Sequence, residues 1–313
     1  MDMARGSMRL VLDARTAAFA ALIDYAGLFP PASKSMRDAA DSYRRVRSSP
    51  SAWVGGRFLC RASQLSELAA VATATFTKGE SPWEVGVIFD LPVGESAAHA
   101  VDFLAEMDPA MTITAVEAKL TEPTGSATES LLDAMISVGP NVVPFIEVDP
   151  TVSIKVQVEL IADELGSRRR VGGAKLRCGG TNIELFPTSA EVAEFVMAVT
   201  NQHLPFKTTA GLHRPIRHFD EDLGIERHGF VNILMAAALA EAGSDRETIE
   251  AVVTDADPDG FALSAAFASW RGHEVAGSAL RRMRQKAFIA FGSCDFDEPT
   301  EALEQLGFLG GGT

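Results

Sequence analysis

The sequence predicts a (β/α)8 TIM-type barrel with an N-terminal helical cap. Three observations carry this prediction. Short strand-like runs alternate with helical patterns along most of the chain, which implies parallel pairing. Successive runs start roughly 30 residues apart, the length of one βα unit. No Gly-rich phosphate turn follows the first clear run at Cys60, as an open doubly wound sheet would usually have. The chain has 313 residues, and the stretch from Arg57 onward matches the ~250 residues of a barrel.

The elements follow in order. Arg15 to Ile23 reads as a helix, and Asp24 to Pro31 as a rigid apolar loop that serves either as a lid or as a packing plug. Ser35 caps a helix running to Arg47. Strand-like runs are expected at Arg57–Cys60, Glu84–Phe89, Thr112–Glu117, Asn141–Glu147, Gly173–Cys178 and Phe206–Thr209. The helices after the first five are expected at Gln64–Ala72, Ser96–Met107, Ala127–Val138, Thr151–Leu165 and Ser189–Val199. Strand seven is expected at Phe230–Leu234 or Gly260–Leu263, and strand eight at Phe288–Phe291. A closing helix is expected at Glu298–Leu306. Residues 1–50 are expected as the cap, with 1–7 an extraneous leader, and residues 51–313 as the barrel, the two forming one domain.

Composition narrows the function. The net charge is −14 and the hydrophobic content 47%. An acidic surface disfavours a nucleic-acid partner and suits a cytoplasmic protein with a small-molecule substrate. No apolar run reaches the ~18 residues of a membrane span. Cys60, Cys178 and Cys294 are far apart and odd in number, so neither a disulfide framework nor a zinc site of usual spacing is expected. No cofactor is expected, and assembly of like chains is left open.

Two lysines stand out. Lys175 and Lys207 lie in successive strand-like runs, in a chain that uses Arg for most of its positive charge. An ammonium in a barrel strand is costly to bury unless it is paired or used. Period-two alternation puts Glu147 with Asp149, Lys175 with Arg177, and Lys207 with Thr209 on shared faces. If these faces point inward, the pocket suits imine chemistry. Lys207 would be the nucleophile, Lys175 and Arg177 cations that lower its pKa, and Glu147 the general acid/base. An interior salt bridge is the alternative reading for both lysines. Glu117 and Lys119 are expected at the strand mouth in water. Gly179, Gly180, Gly292 and Ser293 offer backbone amides for an anionic substrate, and His213 and Arg214 lie in the loop that would close over it.

Lys207-Thr208-Thr209-Ala210-Gly211 resembles the lysine strand of deoxyribose-phosphate aldolase, a class I barrel aldolase. The resemblance covers about five residues and implies an imine on Lys207 and carbon–carbon lyase activity. The family's second lysine follows on the next strand, whereas here Lys175 precedes Lys207. Two other readings remain. One is a metal-assisted lyase, isomerase or hydrolase using His213, His218 and Glu147. The other is a barrel that binds a ligand without catalysis.

Overall fold

The computed structural model describes residues 13–76, 79–107, 109–180 and 182–309. The leader expected at 1–7 lies outside them. The chain runs α1 (Ala14–Phe19), β1 (Ile23–Tyr25), α2 (Met36–Arg47), β2 (Gly55–Arg61) and α3 (Leu65–Thr75). It continues through β3 (Trp83–Ile88), α4 (Val93–Met107), β4 (Met111–Lys119), α5 (Gly125–Ser137) and β5 (Val143–Val148). Then come α6 (Ile154–Ser167), β6 (Gly173–Arg177), α7 (Ser189–Asn201) and β7 (Phe206–Thr209). A hairpin, β8 (His218–Asp220) and β9 (Ile225–Arg227), leads to α8 (Phe230–Glu241) and α9 (Arg246–Thr254). A three-stranded antiparallel sheet, β10 (Phe261–Leu263), β11 (Phe267–Trp270) and β12 (His273–Ala276), precedes α10 (Gly277–Lys286), β13 (Phe288–Ser293) and α11 (Asp297–Gln305).

Eight of these strands close into a barrel in the order β1-β13-β7-β6-β5-β4-β3-β2, with every neighbour parallel. The expected fold class is therefore present. The strands are buried on both faces, as a parallel sheet sheathed by helices must be. Polar caps start the helices where the sequence marks them. Ser35, Thr124, Ser153 and Asp245 each accept a backbone N–H in the first turn, and Thr188 forms a reciprocal capping box with Glu191.

Two expectations about strand positions are corrected. The first barrel strand is Ile23–Tyr25, inside the segment expected to be helix and loop. Three residues are too few to show a period of two, and the surrounding apolar run fits either element. The segment expected as a helical cap thus supplies part of the barrel wall, and α2 is the crossover from β1 to β2. The strand at Arg57 becomes the second, and that at Lys207 the seventh. Neither candidate for strand seven is in the barrel. Phe230–Leu234 opens α8, a helix of 12 residues buried around most of its circumference. Gly260–Leu263 falls at β10 of the small antiparallel sheet. Apolar composition alone does not separate a buried strand from a buried helix; length does.

The seam between β1 and β13 is tied by Arg284, a buried guanidinium on α10. It donates to the carbonyls of Ala18 at 2.9 Å, Ala20 at 3.0 Å and Ile289 at 2.7 Å, and to that of Phe288. A guanidinium has enough donors to join the lead-in of the first strand to the last strand.

Gly173 tests how tightly the wall is packed. A Cβ there would sit 2.1 Å from the Pro205 carbonyl oxygen and 2.8 Å from Phe145. Gly173→Ala must push β6 from its neighbour and should cost roughly 1–3 kcal/mol. Gly125→Ala, where a Cβ meets nothing within 4 Å, should be near neutral. Urea denaturation midpoints of the two variants check both outcomes.

Candidate active site

The polar interior of the barrel is a ladder of alternating charge. Asp24 on β1 accepts the backbone N–H of Arg57 at 2.7 Å, and its other oxygen lies 3.6 Å from the Arg57 guanidinium. That same oxygen is 2.6 Å from Lys207 Nζ. Lys207 also donates to Glu117 Oε1. Glu117 Oε2 accepts from Lys175 Nζ at 2.8 Å, and Lys175 reaches Glu147 Oε2 at 2.8 Å. Glu147 Oε1 accepts from Arg177 Nε at 3.2 Å.

The strands fix this order. Register places Glu147, Lys175 and Lys207 side by side on β5, β6 and β7. Glu117 reaches across from β4 to both ammonium groups. Asp24, Glu117, Glu147, Lys175 and Lys207 are all buried. Only the two arginines at the ends have appreciable exposure, 17% for the Arg57 side chain and 39% for that of Arg177. Ions so placed must be paired, because unpaired burial would cost several kcal/mol per charge.

The charges set one another's protonation. Burial alone would raise the Glu117 carboxyl, but Lys175 and Lys207 outweigh it and hold the group at about 2. Burial likewise opposes ionisation of Glu147, yet Lys175 and Arg177 bring it below the usual carboxylate range. Burial would lower Lys175, but Glu117 and Glu147 raise it above an ordinary lysine.

Both lysines face inward on adjacent strands, as expected. Their partners are carboxylates, as in the interior salt-bridge alternative, and differ from those of the imine reading. The contacts of Lys207 are the carboxylates of Asp24 and Glu117, not the cations Lys175 and Arg177. Glu117 lies at the centre of the ladder and not in water, because Lys175 and Lys207 draw it inward. Lys119, expected beside it at the mouth, is there, 3.3 Å from Asp149. Glu147 and Arg177 join the ladder at its mouth end. Thr209 ends β7 opposite Gly292, where an added Cβ would come 3.0 Å from the Thr209 hydroxyl.

The expected anion-binding glycines have packing duties. A Cβ on Gly179 would meet the Gly211 Cα at 2.8 Å, and one on Gly180 would meet Leu185 at 2.4 Å. Gly211 also adopts a φ of 71°, which favours glycine. Ser293 is buried, and its hydroxyl accepts the Asp295 N–H at 3.4 Å. Arg214 is exposed. His213 pairs with Glu298, and His218 with the Ile216 carbonyl. Among the described residues no three His, Cys, Asp or Glu side chains gather so as to hold a metal ion.

Sequence reasoning missed Asp24, Arg57 and the central role of Glu117. The signal for the two carboxylates was charge balance, since two lysines inside a barrel demand carboxylates inside it. Scans against protein-family models and searches of curated proteins and of solved structures find no match to this chain. The geometry of the site carries the functional reading by itself.

The depressed Glu117 pKa fixes the sign of an acid effect. The carboxyl falls from 4.5 to about 2 on folding. Its stabilisation is complete above the unfolded value and disappears as pH falls through the folded one. Converted at 1.36 kcal/mol per pH unit, it amounts to about 3 kcal/mol. Urea titrations from pH 6 to about pH 2 should show this loss in the natural protein. Glu117→Gln should be less stable at neutral pH and show a shallower loss over the acid window.

Proposed function

We propose that the chain is an enzyme that forms an imine between Lys207 and a small, anionic carbonyl compound, and breaks or makes a carbon–carbon bond through it. The observation that carries this reading is the pair of buried lysines on adjacent strands joined through one carboxylate. A barrel is a common enzyme scaffold, and an interior lysine with a neighbouring acid is the equipment for Schiff-base chemistry.

The charge count suits one free amine in the ladder. The ladder holds four cations, Arg57, Lys207, Lys175 and Arg177, against three carboxylates, Asp24, Glu117 and Glu147. Loss of one proton leaves an even count, which a dry interior favours. Lys175 and Lys207 each lie between two carboxylates, and we assign the amine to Lys207 on the resemblance carried by Lys207-Thr208-Thr209-Ala210-Gly211. The Lys207 nitrogen attacks the substrate carbonyl carbon, and the carbonyl oxygen leaves as water after taking protons from the site. Lys175 is the adjacent acid. Glu147, between Lys175 and the mouth, moves the proton that bond cleavage requires. The exposed part of the Arg177 guanidinium suits the carboxylate or phosphate of the substrate. Lys207 is only 1% exposed, so the ladder must part for substrate to arrive.

Borohydride trapping tests the reading. Incubation with glyoxylate, pyruvate, acetaldehyde or dihydroxyacetone phosphate, then reduction and peptide mass mapping, should place the adduct on Lys207. Lys207→Arg keeps the charge and should abolish trapping while the fold survives. Lys175→Met removes the surplus cation, so Lys207 keeps its proton and the trapping optimum should move to higher pH. An adduct on Lys175 would exchange the two roles. The imine reading fails if neither lysine is modified by any of these carbonyls.

A further inference from the structure

A second group of reactive side chains lies outside the ladder. Cys294 follows β13 directly, His213 lies in the loop after β7, and Glu298 is on the first turn of α11. Cys294 Sγ is 3.7 Å from His213 Nε2, and His213 Nδ1 is 2.9 Å from Glu298 Oε2. These contacts fix the histidine's tautomer. An ionised carboxylate only accepts, so Nδ1 carries the hydrogen and donates it to Glu298. Nε2 is then the free lone pair, and it faces the thiol. A nucleophile, a base and a carboxylate that orients the base thus stand in line, the arrangement that activates hydroxyl and thiol nucleophiles on unrelated folds.

The three cysteines are not equivalent. Cys60 and Cys178 are 0% exposed, whereas Cys294 retains 6%. Cys60 is bonded to the Arg61 carbonyl and Cys178 to that of Leu176; only Cys294 touches a histidine. Burial pushes the Cys294 thiol up, against the pull of the Ala32 backbone amide. Burial thus favours the protonated thiol at rest, and its proton moves toward Nε2 as the sulfur attacks.

We propose that Cys294, His213 and Glu298 form a thiol acyl-transfer centre that accepts the acyl group of small activated esters or thioesters. Sγ bonds to the acyl carbon while its proton passes to His213 Nε2. The bond from that carbon to the alcohol or thiol breaks, and the leaving group departs with the electron pair and takes up the proton. Water, with His213 as base, then cleaves the new thioester and restores the Cys294 thiol. None of these residues belongs to the lysine ladder, so the proposal stands independently of the imine reading.

The test uses the full chain and p-nitrophenyl acetate. Peptide mapping after brief exposure should show acetyl on Cys294 and none on Cys60 or Cys178. Cys294→Ser should remove that adduct and leave lysine acetylation unchanged. His213→Ala should slow acetylation of Cys294 at least about tenfold, and added imidazole should restore part of the rate, which a purely structural histidine would not allow. Glu298→Gln keeps an acceptor for Nδ1 and should be milder than Glu298→Ala. Absence of acetyl on Cys294, or an equal rate in His213→Ala, would overturn the proposal.

Discussion

The alternating ion ladder constrains everything else in this barrel. Seven charged groups from six strands meet in the interior, and each carboxylate lies between two cations. Removing one member leaves its neighbours charged and dry, typically at a cost of 3–5 kcal/mol. The remaining strands, β3 and β13, contribute space. Gly86 on β3 lies against Leu59 and Arg57, and Gly292 on β13 lies against Leu59 and Thr209. Long side chains from neighbouring strands fill the room left by these glycines. The interior thus divides labour between strands that supply charge and strands that supply volume.

The outside of the wall is held by different forces. Tyr43 of α2 stacks on Tyr25 and packs edge-on against Phe58 and Trp83, so one helix clamps β1, β2 and β3. Phe206 stacks on Phe288 across β7 and β13, and Phe230 stacks on Phe291. These apolar contacts surround the costly charges inside and, with Arg284 at the seam, supply the stabilisation that the ladder alone would not.

Much of this was legible in the sequence, and the failures have physical causes. The spacing of βα units revealed a barrel because each unit needs the same length of chain to return to the sheet. The lysines were placed correctly because an interior ammonium in an Arg-rich chain is anomalous. Asp24 was hidden because β1 is too short to show alternation and lies beside a loop of Pro and Gly. Glu117 was assigned to water because a glutamate near a strand end is usually solvated, and its burial depends on cations contributed by β6 and β7. The Cys294–His213–Glu298 alignment joins residues from three loops and helices, and no local pattern encodes it. Periodicity reports what one segment does, whereas pairing between distant segments follows from closure.

The seam at β1 has a consequence in time. Three residues near the start of the described chain pair with the last barrel strand, so almost the whole sequence lies within the loop they close. The entropic cost of such a loop grows slowly with length, but pairings this distant slow folding. Without β13, β1 pairs only with β2 in the barrel wall. Lys207 can meet Glu117 as soon as β4 and β7 share a sheet, while its second carboxylate is secured only when the seam shuts. Completion of the wall and completion of the charge pairing are therefore the same late event. A chain without β13 would leave the wall open between β1 and β7, the strands that carry Asp24 and Lys207.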